Sequence, residues 1–108
     1  MMERICDLAA VPDGEILRVE LSGYRPLAAT LLDGRVYVFP DTCPHAAESL
    51  SKGWVEDGRV VCGVHFAEFG LADDEVVNRP VGCPDLVKFP VELKDGAVYA
   101  DLSKAEAA

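Results

Sequence analysis

Apolar and polar positions alternate over short stretches of this chain rather than in helical steps. In EILRVEL, residues 15–21, Ile16, Leu17, Val19 and Leu21 are set against Glu15, Arg18 and Glu20, as in a half-buried strand. Asp-Gly recurs at Asp13-Gly14, Asp33-Gly34, Asp57-Gly58 and Asp95-Gly96. Between β-formers this dipeptide is a strong hairpin signal, because both turn positions accept positive φ. LAATLLDGRVYVF, WVEDGRVVC and VKFPVELKDGAVYADL each read as strand, turn, strand. No long segment has helical periodicity. The pattern allows a short turn of helix at 46–51 and another in the tail LSKAEAA. Prolines at 12, 26, 40, 44, 80, 84 and 90 suit loops and strand edges. The prediction is one all-β domain over residues 1–108, a sandwich or barrel of many short strands.

Composition narrows the class. Half of the 108 residues are apolar, enough for one core without a disulfide framework. No run of about 18 or more apolar residues is present to span a membrane. The start Met1-Met2-Glu3-Arg4-Ile5-Cys6 has no basic segment leading into an apolar one, so a cytoplasmic location is expected. There, cysteines are more often metal ligands or core residues than disulfides. Nineteen acidic residues against ten basic ones give a net charge of −9, the wrong sign for binding nucleic acid. That acidity either keeps a small protein in solution or steers it to a basic partner. The run Asp73-Asp74-Glu75 is a solvated turn on the first view and part of a docking surface on the second.

The candidate chemistry lies in CPHAAESLSKGWVEDGRVVCGVH, residues 43–65. It holds both histidines and two of the four cysteines, as Cys43-x-His45 and Cys62-x-x-His65, with sixteen residues between the pairs. Cys43 and His45 open the loop after the strand RVYVF, and Cys62 ends the strand RVVC. Two loops at one end of a β-sandwich can face each other and share a metal. Incidental core cysteines and histidines are one explanation, weakened because the pairs consume every histidine. Structural zinc is a second, since it accepts two thiolates and two imidazoles, although zinc fingers usually pair like with like. The third is a binuclear iron–sulfur cluster with two cysteines on one iron and two histidines on the other. The alternating order suits it: each loop gives its cysteine to the inner iron and its histidine to the outer one.

Cys-x-His followed at sixteen residues by Cys-x-x-His is similar to the signature of the Rieske family. The resemblance runs over most of the chain. RICDLAAVPDGE, the loops in LSKGWVEDGRVVCGVHFAEF, and GCPDLVKFPVELKDGAVYADL resemble the small ferredoxins of bacterial aromatic-ring dioxygenases. It implies a β-sandwich base with a cluster-binding subdomain at about residues 40–85. It implies one 2Fe–2S cluster per chain, with Cys43 and Cys62 on the buried iron and His45 and His65 on the exposed iron. Phe69 matches an aromatic packed against the second loop. Pro44, Phe66-Ala67 and LADDEV depart from the commoner pattern. The implied function is electron transfer rather than catalysis: a monomeric carrier between an NAD(P)H-linked flavoprotein reductase and a terminal oxygenase. The alternatives are a small nitrite reductase subunit and a non-redox zinc-binding interaction module.

Ligation also bears on potential. Two ferric ions, two sulfides and two thiolates sum to zero with neutral imidazoles, so an electron is accepted more readily than by a four-cysteine cluster; the family spans about −150 to +300 mV. The high-potential members carry a disulfide between the loops and hydroxyl donors near the cluster. The matching places here are Glu48 and Val64, then Ala67 and Phe69, so a low potential is expected. Coupling of imidazole protonation to redox state implies a potential that falls at alkaline pH. Cys6 and Cys83 are expected to be structural thiols, and Trp54 an aromatic packed beneath the loops.

Overall fold

The computed structural model describes residues 2–44, 48–63, 66–73, 76–78, 81 and 83–105. Among these, ten strands form three antiparallel sheets. The first contains β1 (Met2–Asp7), β10 (Ala97–Asp101) and β9 (Val91–Lys94), in that order. The second contains β2 (Leu17–Val19), β3 (Leu27–Leu32) and β4 (Arg35–Pro40). The third runs β5 (Trp54–Glu56), β6 (Arg59–Val61), β7 (Glu68–Gly70) and β8 (Val76–Val77).

Three of the Asp-Gly pairs make the predicted hairpins. Asp33-Gly34, Asp57-Gly58 and Asp95-Gly96 have both residues at positive φ, between 50° and 77°. They join β3 to β4, β5 to β6 and β9 to β10. Positive φ at both central positions matches the right-handed twist of the flanking strands. Asp13-Gly14 does something else. Only Gly14 is at positive φ, and the segment lies alongside β3 through a parallel bridge from Asp13 to Leu31.

The hairpin β3–β4 explains the layering. Alternate side chains of a strand point to opposite faces. Leu27, Ala29, Val36 and Val38 face a core shared with Ile5, Phe89, Val98, Ala100 and Leu102, which belong to or border the β1–β10–β9 sheet. Ala28 and Phe39 face a second core, with Leu50, Val60, Phe69 and Leu71. Both faces of this hairpin are therefore covered, which is why LAATLL reads as a nearly unbroken apolar run. The bond from the Phe89 N–H to the Val38 carbonyl, 2.8 Å, ties the return of the chain to β4.

The helical turns are shorter than predicted. A single 3-10 turn covers Leu50–Lys52, overlapping the expected 46–51 only at its end, and Ala46 and Ala47 lie outside the described residues. Leu50 is fully buried and anchors it. In the tail, the Ala105 N–H reaches the Leu102 carbonyl at 2.9 Å, and residues 106–108 are outside the described set. A second 3-10 turn, Leu8–Ala10, follows β1.

Candidate metal centre

Cys43 follows the end of β4 by three residues and Cys62 directly follows β6, and both lie in the second core. Both side chains are buried, at 2% and 0% exposure, neither is in a disulfide, and both belong to the same apolar cluster. The loops they open are closed alike. The Cys43 N–H donates to the Glu48 carbonyl at 2.8 Å, and the Cys62 N–H donates to the Ala67 carbonyl at 2.9 Å. Each bond spans five residues, and each loop so closed contains one histidine. His45 and His65 themselves, the remaining two predicted ligands, lie outside the described residues, as does Val64. Among the described residues alone there is no group of three or more metal-ligating side chains, as expected when two of four donors fall outside that set.

The donor set fits a metal group. Two buried cysteines in one apolar cluster, without a disulfide, offer soft sulfur ligands to a cation that compensates the thiolate charge. Ala67 and Phe69 are fully buried in the same cluster, so the wall behind the second loop carries no side-chain hydroxyl at either position. Glu48 is exposed.

Two residues that sequence reasoning did not single out hold these loops in place. Asp41, two residues before Cys43, is only 2% exposed. Its carboxylate accepts from the Ser51 N–H at 2.8 Å, from the Ser49 hydroxyl, and from Arg18 at 3.4 Å. Its own N–H donates to the Pro26 carbonyl at 3.0 Å. A buried carboxylate is tolerable when donors surround it, and here they cross-link the two ends of the first loop. Lys88 plays a similar part beyond the second loop: its Nζ donates to the carbonyls of Gly70 at 2.9 Å, Leu71 at 3.1 Å and Asp73. Neither had a local sequence signal: the partners that bury Asp41 lie up to twenty-three positions away, and the carbonyls that Lys88 reaches lie fifteen to eighteen positions before it.

Gly53 is required by close approach. A Cβ placed there would lie 1.9 Å from the Val61 carbonyl oxygen, immediately before Cys62. Phe66, which follows His65, adopts φ 58°, a left-handed conformation that costs a bulky residue roughly 1–2 kcal/mol. Its N–H donates to the Cys62 carbonyl at 3.0 Å, and its carbonyl accepts from the Asn78 side chain at 3.3 Å.

Trp54 lies against the second loop beside Gly63 but is only partly covered. It is 41% exposed, with its ring centroid 6.2 Å from that of Phe66. In the three-residue strand β5 only one side can face inward; Val55 takes it, and Trp54 shares the outer face with Glu56. Cys83 is buried in the second core, and its thiol donates to the Pro84 carbonyl at 3.4 Å. Cys6 lies half-buried in β1; burial pushes its thiol pKa up, with Arg4 opposing and Asp7 adding to the shift. Of the acidic run, Asp73 is exposed, while Asp74 and Glu75 lie outside the described residues.

Comparison with known proteins covers nearly all of this architecture. Residues 2–90 match the model of the Rieske [2Fe-2S] domain. The 3-phenylpropionate/cinnamic acid dioxygenase ferredoxin subunit of Escherichia coli K12 is 36% identical, over 97% of this chain and 99% of that protein. The ferredoxin of Sphingomonas yanoikuyae B1 superposes with a TM-score of 0.81 at 28% identity, over 94% of this chain and 98% of its own. A chain from the complex of reduced oxygenase and oxidised ferredoxin in carbazole 1,9a-dioxygenase gives 0.78 at 30% identity, covering 92% and 91%. Two buried cysteines on two alike loops thus lie within the matched segment, and the chain belongs to the family of Rieske [2Fe-2S] domains, whose cofactor is a binuclear iron–sulfur cluster.

Proposed function

We propose that this chain is a one-electron carrier, the ferredoxin component of an oxygenase system acting on aromatic substrates, and not itself an enzyme. The observation that carries this is the joint burial of Cys43 and Cys62 under two equally closed loops, in a chain whose likeness to a dioxygenase ferredoxin subunit runs end to end. When bound, the cluster supplies reversible uptake of a single electron. Cys43 and Cys62 would hold the inner iron, and His45 and His65 the outer one. The surrounding apolar residues exclude water from the thiolate side, Asp41 ties together the two ends of the first loop, and Lys88 ties the backbone that follows the second.

The chain is one domain in which residues of about 40–85 form the cluster-binding part, supported by the second core and the β5–β8 sheet that it covers. The carrier acts as a monomer in the cytoplasm, between an NAD(P)H-linked flavoprotein reductase and a terminal oxygenase. Among the described residues no helix is long and apolar enough to cross a membrane. The zinc alternative gives way to the iron–sulfur cofactor of the family. A nitrite reductase subunit would share the fold, and the end-to-end likeness to a dioxygenase ferredoxin favours the oxygenase role.

The test is a reduction assay joined to a spectrum. Purified protein is expected to be red-brown, to bind two irons, and to give on dithionite reduction the electron paramagnetic resonance signal of mixed histidine–cysteine ligation. Reduced protein is expected to pass electrons to the oxygenase of a candidate aromatic-ring dioxygenase. A midpoint in the lower half of the family range is expected, because Ala67 and Phe69 offer no hydroxyl to stabilise the reduced state. A colourless zinc protein, or a signal typical of four cysteine ligands, defeats the proposal.

A further inference from the structure

Phe66 stands in a place that local physics would give to glycine or asparagine. Its φ is 58°, a region bulky side chains avoid, and its ring is 56% exposed. Neither feature helps the chain fold. The backbone is nonetheless fixed on both sides, by Cys62 through the N–H and by Asn78 through the carbonyl. The ring meets Trp54 in a tilted contact, 6.2 Å between centroids and 56° between planes. Trp54 in turn rests within 3.9 Å of where a side chain on Gly63 would begin, so the pair lies against the second cluster loop. A solvent-facing pair of aromatics, one of them on a strained backbone, matches the features of an interface anchor: large apolar area carried by side chains with few rotatable bonds.

From this we infer that Trp54 and Phe66 form an aromatic ledge that docks the terminal oxygenase, the inference resting on the electron-carrier role proposed above. The oxygenase is favoured over other occupants because the carbazole dioxygenase neighbour is found in complex with an oxygenase. The chemistry required of the partner follows from the surroundings. Glu56 shares the outer face of β5 with Trp54, Asp57 is exposed beside it, and the whole chain carries −9. The complementary surface is an apolar recess bordered by lysine or arginine. Such a recess would seat the ledge and bring the adjoining cluster loop against the partner.

The discriminating variant is Phe66→Gly. It removes the ring while relieving the backbone, so the melting temperature is expected to stay level or rise. The midpoint potential and the paramagnetic resonance signal are expected to be unchanged. The probe is the oxygenase that the wild-type protein reduces in the assay above. For Phe66→Gly, the half-saturating ferredoxin concentration is expected to rise at least tenfold, with the rate at saturation preserved. Trp54→Thr is expected to weaken docking in the same way, and Phe66→Tyr to restore it. Half-saturation within twofold of wild type in Phe66→Gly overturns the ledge and leaves the electron-carrier role standing. Loss of stability or a shifted potential in Phe66→Gly assigns Phe66 a structural role and also overturns it. Sedimentation showing a wild-type dimer that Phe66→Gly dissociates gives the ledge to a second copy and overturns it. An oxygenase panel that wild type never reduces sinks the carrier role and the ledge together.

Discussion

At Gly53 the position of a single absent atom controls whether the loop bearing Cys62 can form. A methyl group there would overlap the Val61 carbonyl at 1.9 Å, and backbone cannot move aside cheaply. Gly53→Ala is expected to cost roughly 3 kcal/mol or more, read as a lowered melting temperature and faster bleaching of the cluster absorption on warming. Cys6 gives a pH prediction. Burial raises its pKa above the ordinary 9.0, with Arg4 pulling the other way and Asp7 adding to the rise. The unfolded thiol therefore ionises first. Stability from the neutral thiol is present below that ordinary value and is lost as pH climbs through the raised one. Cys6→Ala is expected to flatten the alkaline side of the stability profile, as thermal melts across the pH range would show. Cys43 and Cys62, the two described candidates, could be singled out from the sequence because each opens a short Cys-His pair. Asp41 could not, because its burial depends on Ser49, Ser51 and Arg18, eight, ten and twenty-three positions away.

Among the elements, hairpins were the easiest to read, since each Asp-Gly carries its turn geometry within two residues. Asp13-Gly14 shows the limit of that signal: its flanks pair with β3 rather than with each other, and dipeptide chemistry does not encode a neighbour eighteen residues away. The inward Val55 and outward Trp54 were implied by the alternation of β5, yet the size of an indole argues for burial and pulled the expectation the wrong way. Residues 71–73, which follow β7, lie outside the strands, and Lys88 ties two of their carbonyls. Replacing it by methionine keeps the stem and removes the donors to Gly70, Leu71 and Asp73. Carbonyls that lose a charged donor and are only partly reached by water cost roughly 1–3 kcal/mol. Lys88→Met is expected to lower stability by that amount and to hasten cluster loss, measured as the decay of visible absorption with a chelator present.

For the molecule as a whole, the β3–β4 hairpin divides the interior in two. Among the described residues, one core, with Val98, Ala100 and Phe89, contains no candidate ligand, and the other holds Cys43 and Cys62. Removing the cluster therefore strips the filling from one side of a shared wall and leaves the other side packed. In the apoprotein, amide exchange is expected to stay slow in β1, β9 and β10 and to become fast in β5 to β8. Uniformly fast exchange would mean that the two sides melt as one. A chain built this way can complete half of itself before any iron arrives. Whatever machinery inserts the cofactor would then meet a preassembled platform with its remaining loops still open, and sealing of the second chamber would record that loading had taken place.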